Sequence, residues 1–201
     1  MLTPRPHLSW SQLDLFERNP EKYRALYVQN DPEAAIPVNR GMALGKSVAN
    51  ALETGEETGD LKKDFVIAQL PKFEVMEYEL RVTIDVGGIK IPLLIKMDSA
   101  MKTLEAFKEY KTGTTAWNKD KANKHGQMIF YATGIYSKVG KIPAAELVWA
   151  PCEKDDSGRP YLTGEIRRFE VKVTMADILK MKIRMKNAWL GIQAMVEEEL
   201  I

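Results

Sequence analysis

The sequence predicts a mixed α/β (α+β) fold, a central sheet of about five strands flanked by helices and preceded by a helical segment. Three observations carry this. Up to about residue 70, apolar residues recur at helical spacing. From about residue 76 the period drops to two, with branched side chains in alternation and a Gly87-Gly88 turn of the hairpin type. Helical spacing then returns at 119–140 and again from 174, with short apolar runs between.

LSWSQLDLFERNPEKYRALYV opens with Ser9 and has Gln12 three residues on, the pattern of a capping box. Its apolar residues, Trp10, Leu13, Phe16, Tyr23 and Tyr27, predict two short helices, with Pro20 starting the second. NDPEAAIP (30–37) is expected as a loop. RGMALGKSVANALETG predicts a helix from about Gly41 to Leu52, stopped by Gly55, and KKDFVIAQLPKFE a short helical piece before Pro71. YELRVTIDV and IKIPLLIKMD are strands, although Pro92 cannot donate to a ladder and suggests an edge or a bulge. TLEAFKEY is a third strand and KTGTT a loop. NKDKANKHGQMIFYATGIYSKVG reads as one helix, with Met128, Tyr131, Ile135 and Val139 in a stripe and Gly140 ending it. AAELVWAPC and LTGEIRRFEVKV are the last strands, separated by the turn-rich EKDDSGRP. Thr174 with Asp177 caps a closing helix whose apolar residues fall at Ile178, Met181, Met185, Trp189, Ile192 and Met195.

At 201 residues and 45% apolar composition, the expectation is one domain over 1–201 whose core needs no covalent staple. It divides into a helical part (1–70), a sheet core with a crossing helix (76–173) and the closing helix (174–201). The single cysteine, Cys152, has no partner for an intrachain disulfide, which fits a reducing compartment. No apolar run approaches the ~20 residues of a membrane span, and MLTPRPHLSW lacks the apolar core of a signal peptide. A cytoplasmic protein without membrane partners is expected. The net charge of +1 conceals local bias: Lys96–Lys141 holds nine lysines against four acids, and Arg167–Lys186 seven basic residues against two. A basic middle attracts polyanions, and solvated surface lysines give the same composition.

Charge inside strand material is the informative feature. Asp98 ends one strand, and Glu109 and Lys111 share one face of the next. Two carboxylates suit a hard divalent cation such as Mg²⁺, and a neighbouring ammonium suits a phosphodiester. A Glu-x-Lys pair on a strand face also suits a solvated surface, and the residues alone do not choose. A tight turn near residue 100 would set Asp98 opposite Leu104 or Glu105, making Glu105 a competing ligand. Asp98 and Glu109 can meet only if their strands splay.

KMDSA followed by FKEYKTG resembles the active-site hairpin of the PD-(D/E)XK nucleases, in the RecB-type exonuclease branch. EYKTG (109–113) resembles that branch's acid-x-Lys-Thr-Gly. LSWSQLDLFERNPEKYRALYV is similar to the family's opening segment, RGMALG (40–45) to its Gly-x-x-x-His motif, and Gln127 with Tyr131 to its Gln-x-x-x-Tyr pair. The four segments keep the family's order over about residues 8–136. The resemblance implies a restriction-endonuclease-like core and a Mg²⁺- or Mn²⁺-dependent deoxyribonuclease, an exonuclease of DNA recombination, repair or phage DNA processing. It implies Asp98, Glu109 and Lys111 as catalytic residues, with Asp98 and Glu109 on the metal. Gln127 and Tyr131 would border the substrate, with Thr112 beside them.

Two departures stand out. Gly45 occupies the histidine position, and Glu53, two turns along the same helix, is the replacement ligand the spacing offers. Asn19 stands where some relatives carry a cysteine, and with Cys152 alone no iron–sulfur cluster can form. Trp117, Lys119, Lys121 and Lys124 are candidates for a phosphate-contacting rim with a ring for base stacking, and they suit a solvated face equally. His125 has no second histidine or cysteine near it in sequence. The partners expected are DNA, a recombination protein and further copies of the chain. The alternative reading is a catalytically impaired nuclease-fold module that binds DNA or a partner protein.

Overall fold

Ser9 opens α1 (Trp10–Arg18) by accepting the Gln12 N–H on its side chain. Asn19 ends that helix and caps the next, with Pro20 in the first position of α2 (Pro20–Tyr23). A π-helical turn (Arg24–Val28) and a 3-10 turn (Pro32–Ala34) follow. The computed structural model describes residues 5–35 and 37–199. Met1–Pro4, Leu200 and Ile201 at the ends of the expected unit, and Ile36 in the expected loop, lie outside the described residues. Asn39 caps α3 (Arg40–Thr54), and Gly55 ends it at a φ of 74°. Asp60 caps α4 (Leu61–Gln69).

The sheet begins with a long hairpin. β1 (Val75–Val86) and β2 (Ile89–Ala100) pair antiparallel from Val86↔Ile89 at the Gly87-Gly88 turn to Val75↔Ala100. Both turn glycines have positive φ, which glycine adopts without a Cβ penalty. β3 (Ala106–Gly113) joins β2 at Ser99↔Lys108 and Ala100↔Phe107 alone. Its other edge is fully paired, in parallel, with β4 (Ala144–Lys154). The crossover between them carries α5 (Lys119–Asn123) and α6 (Gly126–Val139). β5 (Pro160–Leu162) and β6 (Arg167–Val171) run antiparallel to β4, and α7 (Met175–Glu198) closes the chain behind a Thr174–Asp177 capping box.

Helices cover both faces of this mixed sheet. On one, Leu80, Ile95, Met97 and Phe107 pack against Met128 and Phe130 of α6 and Met185 and Trp189 of α7. On the other, Val148 and Ala150 pack against Leu44, Val48 and Leu52 of α3 and Val66 of α4. No helix among the described residues is long and apolar enough to cross a membrane.

The expected fold is present and differs in three details. The sheet has six strands where about five were expected, because LTGEIRRFEVKV breaks where Gly164 takes a φ of 95°. β5 pairs with the far end of β4 and β6 with its start. The single helix expected over 119–140 divides, since His125 is extended (ψ 110°) and α6 restarts at Gly126. A Cβ on Gly126 would lie 2.1 Å from the Trp10 ring, so this is where α1 presses on the crossover. Val139, expected in the buried stripe, is 40% exposed at the helix end.

Pro92 sits at an edge, as expected. Where β3 leaves β2, Leu8 takes the free side, donating its N–H to Pro92 O (2.8 Å) and accepting the Leu94 N–H (3.0 Å). The missing proline N–H therefore removes no ladder bond to β1.

Candidate functional site

The early parting of β2 and β3 creates the site. Continuing the Ser99↔Lys108 register sets Asp98 directly across from Glu109. No ladder bond forms there. Instead Asp98 Oδ2 accepts the Tyr110 N–H at 2.6 Å, so the carboxylate lies in the gap between the strands. The expected tight turn near residue 100 is replaced by a longer reversal, with Leu104 at a φ of 61° and its N–H bonded to Met101 O. That extra length moves Glu105 away from Asp98. Glu105 is exposed, accepts the Thr103 hydroxyl and does not compete for the site.

Glu109 is 4% exposed. Its Oε1 accepts Lys111 Nζ (2.7 Å) and Gln127 Nε2 (2.6 Å), while its Oε2 is buried without a hydrogen-bond partner. Gln127 Oε1 also accepts Lys111 Nζ (2.7 Å), and its Nε2 donates to the Tyr131 hydroxyl (2.8 Å). One amide thus holds both the lysine and the glutamate, from a helical residue four positions before Tyr131. Tyr131 is itself buried, edge-on to Phe107.

Burial, then the Glu109 charge, pushes the Asp98 carboxyl up to about 7 against the opposing pull of the Tyr110 N–H and Lys111. Burial raises Glu109 as well, with Lys111 and Gln127 opposing it. Burial, then Asp98 and Glu53, raises Glu77. The His125 imidazole, buried near the Lys111 and Lys121 charges, is lowered to about 4. A cleft of about 500 Å³ opens onto Glu77, Asp98, Glu109, Lys111 and Thr112, walled on the α3 side by Met42, Gly45 and Leu52.

No protein-family model matches the sequence. No curated protein matches it either. Among solved structures, a putative exonuclease from Eubacterium rectale superposes with a TM-score of 0.60 at 15% identity, over 96% of this chain and 82% of that one. The chain shares the fold of that structure. An alkaline exonuclease from Laribacter hongkongensis superposes with a TM-score of 0.42 at 14% identity, over 96% of this chain and 90% of that one.

Gly45, where the sequence resemblance would put a histidine, sits at a close approach of α3 to β3. A Cβ on Gly45 would lie 3.2 Å from Thr112 Oγ1, so α3 runs close against β3 and leaves little room for a large side chain. Glu53, the replacement the spacing offers, does not line the cleft. Leu44, Val48, Ala51 and Leu52 are the face of α3 turned to the sheet, and Glu53 is exposed beside them, felt by Glu77 rather than joined to Asp98 and Glu109. Among the described residues no three acidic, histidine or cysteine side chains converge closely enough to hold one ion jointly.

The rim residues do not line the cleft that opens onto the carboxylates. Trp117 is half-buried, T-shaped to His125, and has Lys121 Nζ at 4.3 Å from its ring centroid. Lys124 is paired with Asp120, and Lys119 is exposed at the start of α5. The Tyr131 hydroxyl accepts from Gln127, and the two residues line a second cleft beside Trp10 and Lys96.

Sequence reasoning missed Glu77. In MEYELRV it looks like one of the outward acids of an alternating strand. Counting the register outward from the Gly87-Gly88 turn places it opposite Asp98, and that was the available signal.

The buried, partnerless Glu109 Oε2 is the observation that tests the fit of a cation. Such an oxygen is costly in a protein interior unless something compensates it. A hard divalent ion beside Asp98 would do so, and the two carboxylates fit one.

Proposed function

We propose that the protein is a Mg²⁺- or Mn²⁺-dependent deoxyribonuclease that works from DNA ends, in recombination, repair or phage DNA processing. The observation that supports this best is the meeting of Asp98 and Glu109 in a sheet gap, with Lys111 beside them and one Glu109 oxygen unpartnered. Asp98 and Glu109 would hold the ion. When bound, it neutralises phosphodiester charge and lowers the pKa of water it holds.

The chain's own groups supply the rest. Lys111 reaches the cleft as an ammonium and donates to a phosphate oxygen or to the attacking water. Gln127 fixes Lys111 and Glu109 in one orientation, and Tyr131 fixes Gln127, so these two act as positioning residues. Thr112 extends the same strand along the cleft wall. Lys119, Lys121 and Lys124 lie downstream, where they would meet the DNA backbone and make binding fall with salt.

The deciding assay compares end-labelled linear DNA with closed circular DNA, in Mg²⁺, in Mn²⁺ and in EDTA, beside Lys111→Ala. The expected result is metal-dependent loss of the linear substrate, an intact circle and a strongly impaired variant. Cutting of the circle would make the activity endonucleolytic. The glycine at position 45 favours a second reading, a nuclease-fold module that has lost catalysis. Binding of DNA at low salt without cleavage in either metal would select it.

A further inference from the structure

We propose that Glu77 is the third acid of the cation site and acts on the ion through a coordinated water. This rests on the nuclease reading and deepens it. The register from the hairpin turn sets Glu77 opposite Asp98, and the β2–β3 register sets Asp98 opposite Glu109. Three acids therefore form a row across three adjacent strands, and all three line one cleft. The row does not stand on its own acidity. Glu109 Oε2, on a side chain only 4% exposed, is unpartnered where the cleft forms, and it marks where a cation would sit.

Glu77 reaches the cleft through its backbone. Its φ is 50°, a left-handed value that non-glycine residues seldom adopt in a strand. Met76 and Tyr78, two residues apart, would normally share a face. Here Met76 packs with the α3–α4 core and Tyr78 with the α6–α7 core. The strand changes face at Glu77, and such conformations cluster where a site requires them.

Charge and distance define the role. Glu77, Asp98 and Glu109 with Lys111 carry a net charge of −2 when the acids are ionised, which one divalent cation balances. Since no three acids converge for joint ligation among the described residues, Glu77 would act through water, and Mg²⁺ ordinarily retains several. The group that Gly45 cannot supply from α3 then comes from β1.

The test is Mn²⁺ binding to the full chain, read by the loss of free-Mn²⁺ electron paramagnetic resonance signal at pH 8. Wild type is compared with Glu77→Gln, Glu77→Gly, Asp98→Asn and, as a charge control, the exposed Glu79→Gln. Outer partners of metal sites typically change affinity by roughly 10–100-fold. Glu77→Gln and Glu77→Gly should both fall in that range. The glycine variant suits the left-handed backbone and guards against misfolding of the glutamine variant. Glu79→Gln should bind as wild type. Wild-type affinity in folded Glu77→Gln or Glu77→Gly, with Asp98→Asn deficient, would overturn the role of Glu77 alone. An equal loss in Glu79→Gln would overturn it too, by reducing the effect to general charge. Binding unaffected by Asp98→Asn, or no binding by wild type, would overturn the nuclease reading together with the Glu77 role.

Discussion

Asp98→Asn should stabilise the metal-free protein while removing its cation affinity. The Asp98 carboxyl rises from an ordinary 3.8 to about 7, first through burial and then through the Glu109 charge. A raised carboxylate pKa means that the fold disfavours the ion. Folding stability is then lost as pH climbs past the unfolded value, and the loss is complete above about 7. The full gap corresponds to about 4 kcal/mol, of which only about 1 kcal/mol has accrued at pH 4.5. Asparagine retains an oxygen to accept the Tyr110 N–H and carries no charge. Its advantage should therefore be about 3 kcal/mol larger at pH 8 than at pH 4.5. For a chain of this length that is about 6–12 °C in Tm. The assay is thermal unfolding in EDTA at the two pH values. A gain of equal size at both, or a loss at pH 8, would refute the argument that the buried charge is the cost. Adding Mn²⁺ at pH 8 should narrow or reverse the order, because wild type gains binding energy that the variant cannot.

Lys111→Ala should lower cleavage by about 10²–10³-fold, the scale for removing one transition-state donor. Its Mn²⁺ affinity by titration calorimetry should change far less, which separates its role from that of Asp98. Gln127→Leu removes the shared anchor of Lys111 and Glu109. It should lower kcat by about 10-fold or more with a small change in KM, measured on end-labelled DNA, as expected for lost positioning. Gly126→Ala drives a Cβ to 2.1 Å from the Trp10 ring. It should destabilise by about 1–3 kcal/mol in denaturant melts, because a rigid indole cannot yield cheaply.

Much of the fold was legible because the chain states it locally. Ser9, Asn39, Asp60 and Thr174 cap four helices through their own side chains. Gly55 and Gly140 end two helices in left-handed conformations. The break at Gly164 was hidden because the apolar pattern continues across it, in Leu162, Ile166, Phe169 and Val171. Residue type and spacing raised Asp98, Glu109 and Lys111, the resemblance to the nuclease hairpin chose them and added Gln127, and the structure brings these four together. The exposure of Glu53 and the inward turn of Glu77 were not legible. The first depends on which stripe of α3 the sheet takes, and the second on one unusual backbone angle.

The splay of β2 from β3 was also illegible, because its cause is non-local. β3 satisfies one edge along its whole length against β4, which lies a full crossover later in the chain. Its other edge needs only Ser99 and Ala100 of β2 to stay in the sheet. Parting strands inside a protein ordinarily strands backbone polar groups, and each costs as much as a lost hydrogen bond. Here the groups along the opening find substitutes. Leu8 serves Pro92 O and the Leu94 N–H, and the Asp98 carboxylate serves the Tyr110 N–H. Asp98 therefore holds the gap open from one side while presenting its remaining oxygen to the cleft. Removing its side chain takes away a backbone partner as well as a charge. For that reason Asp98→Asn isolates the charge, whereas Asp98→Ala confounds charge with the geometry of the opening.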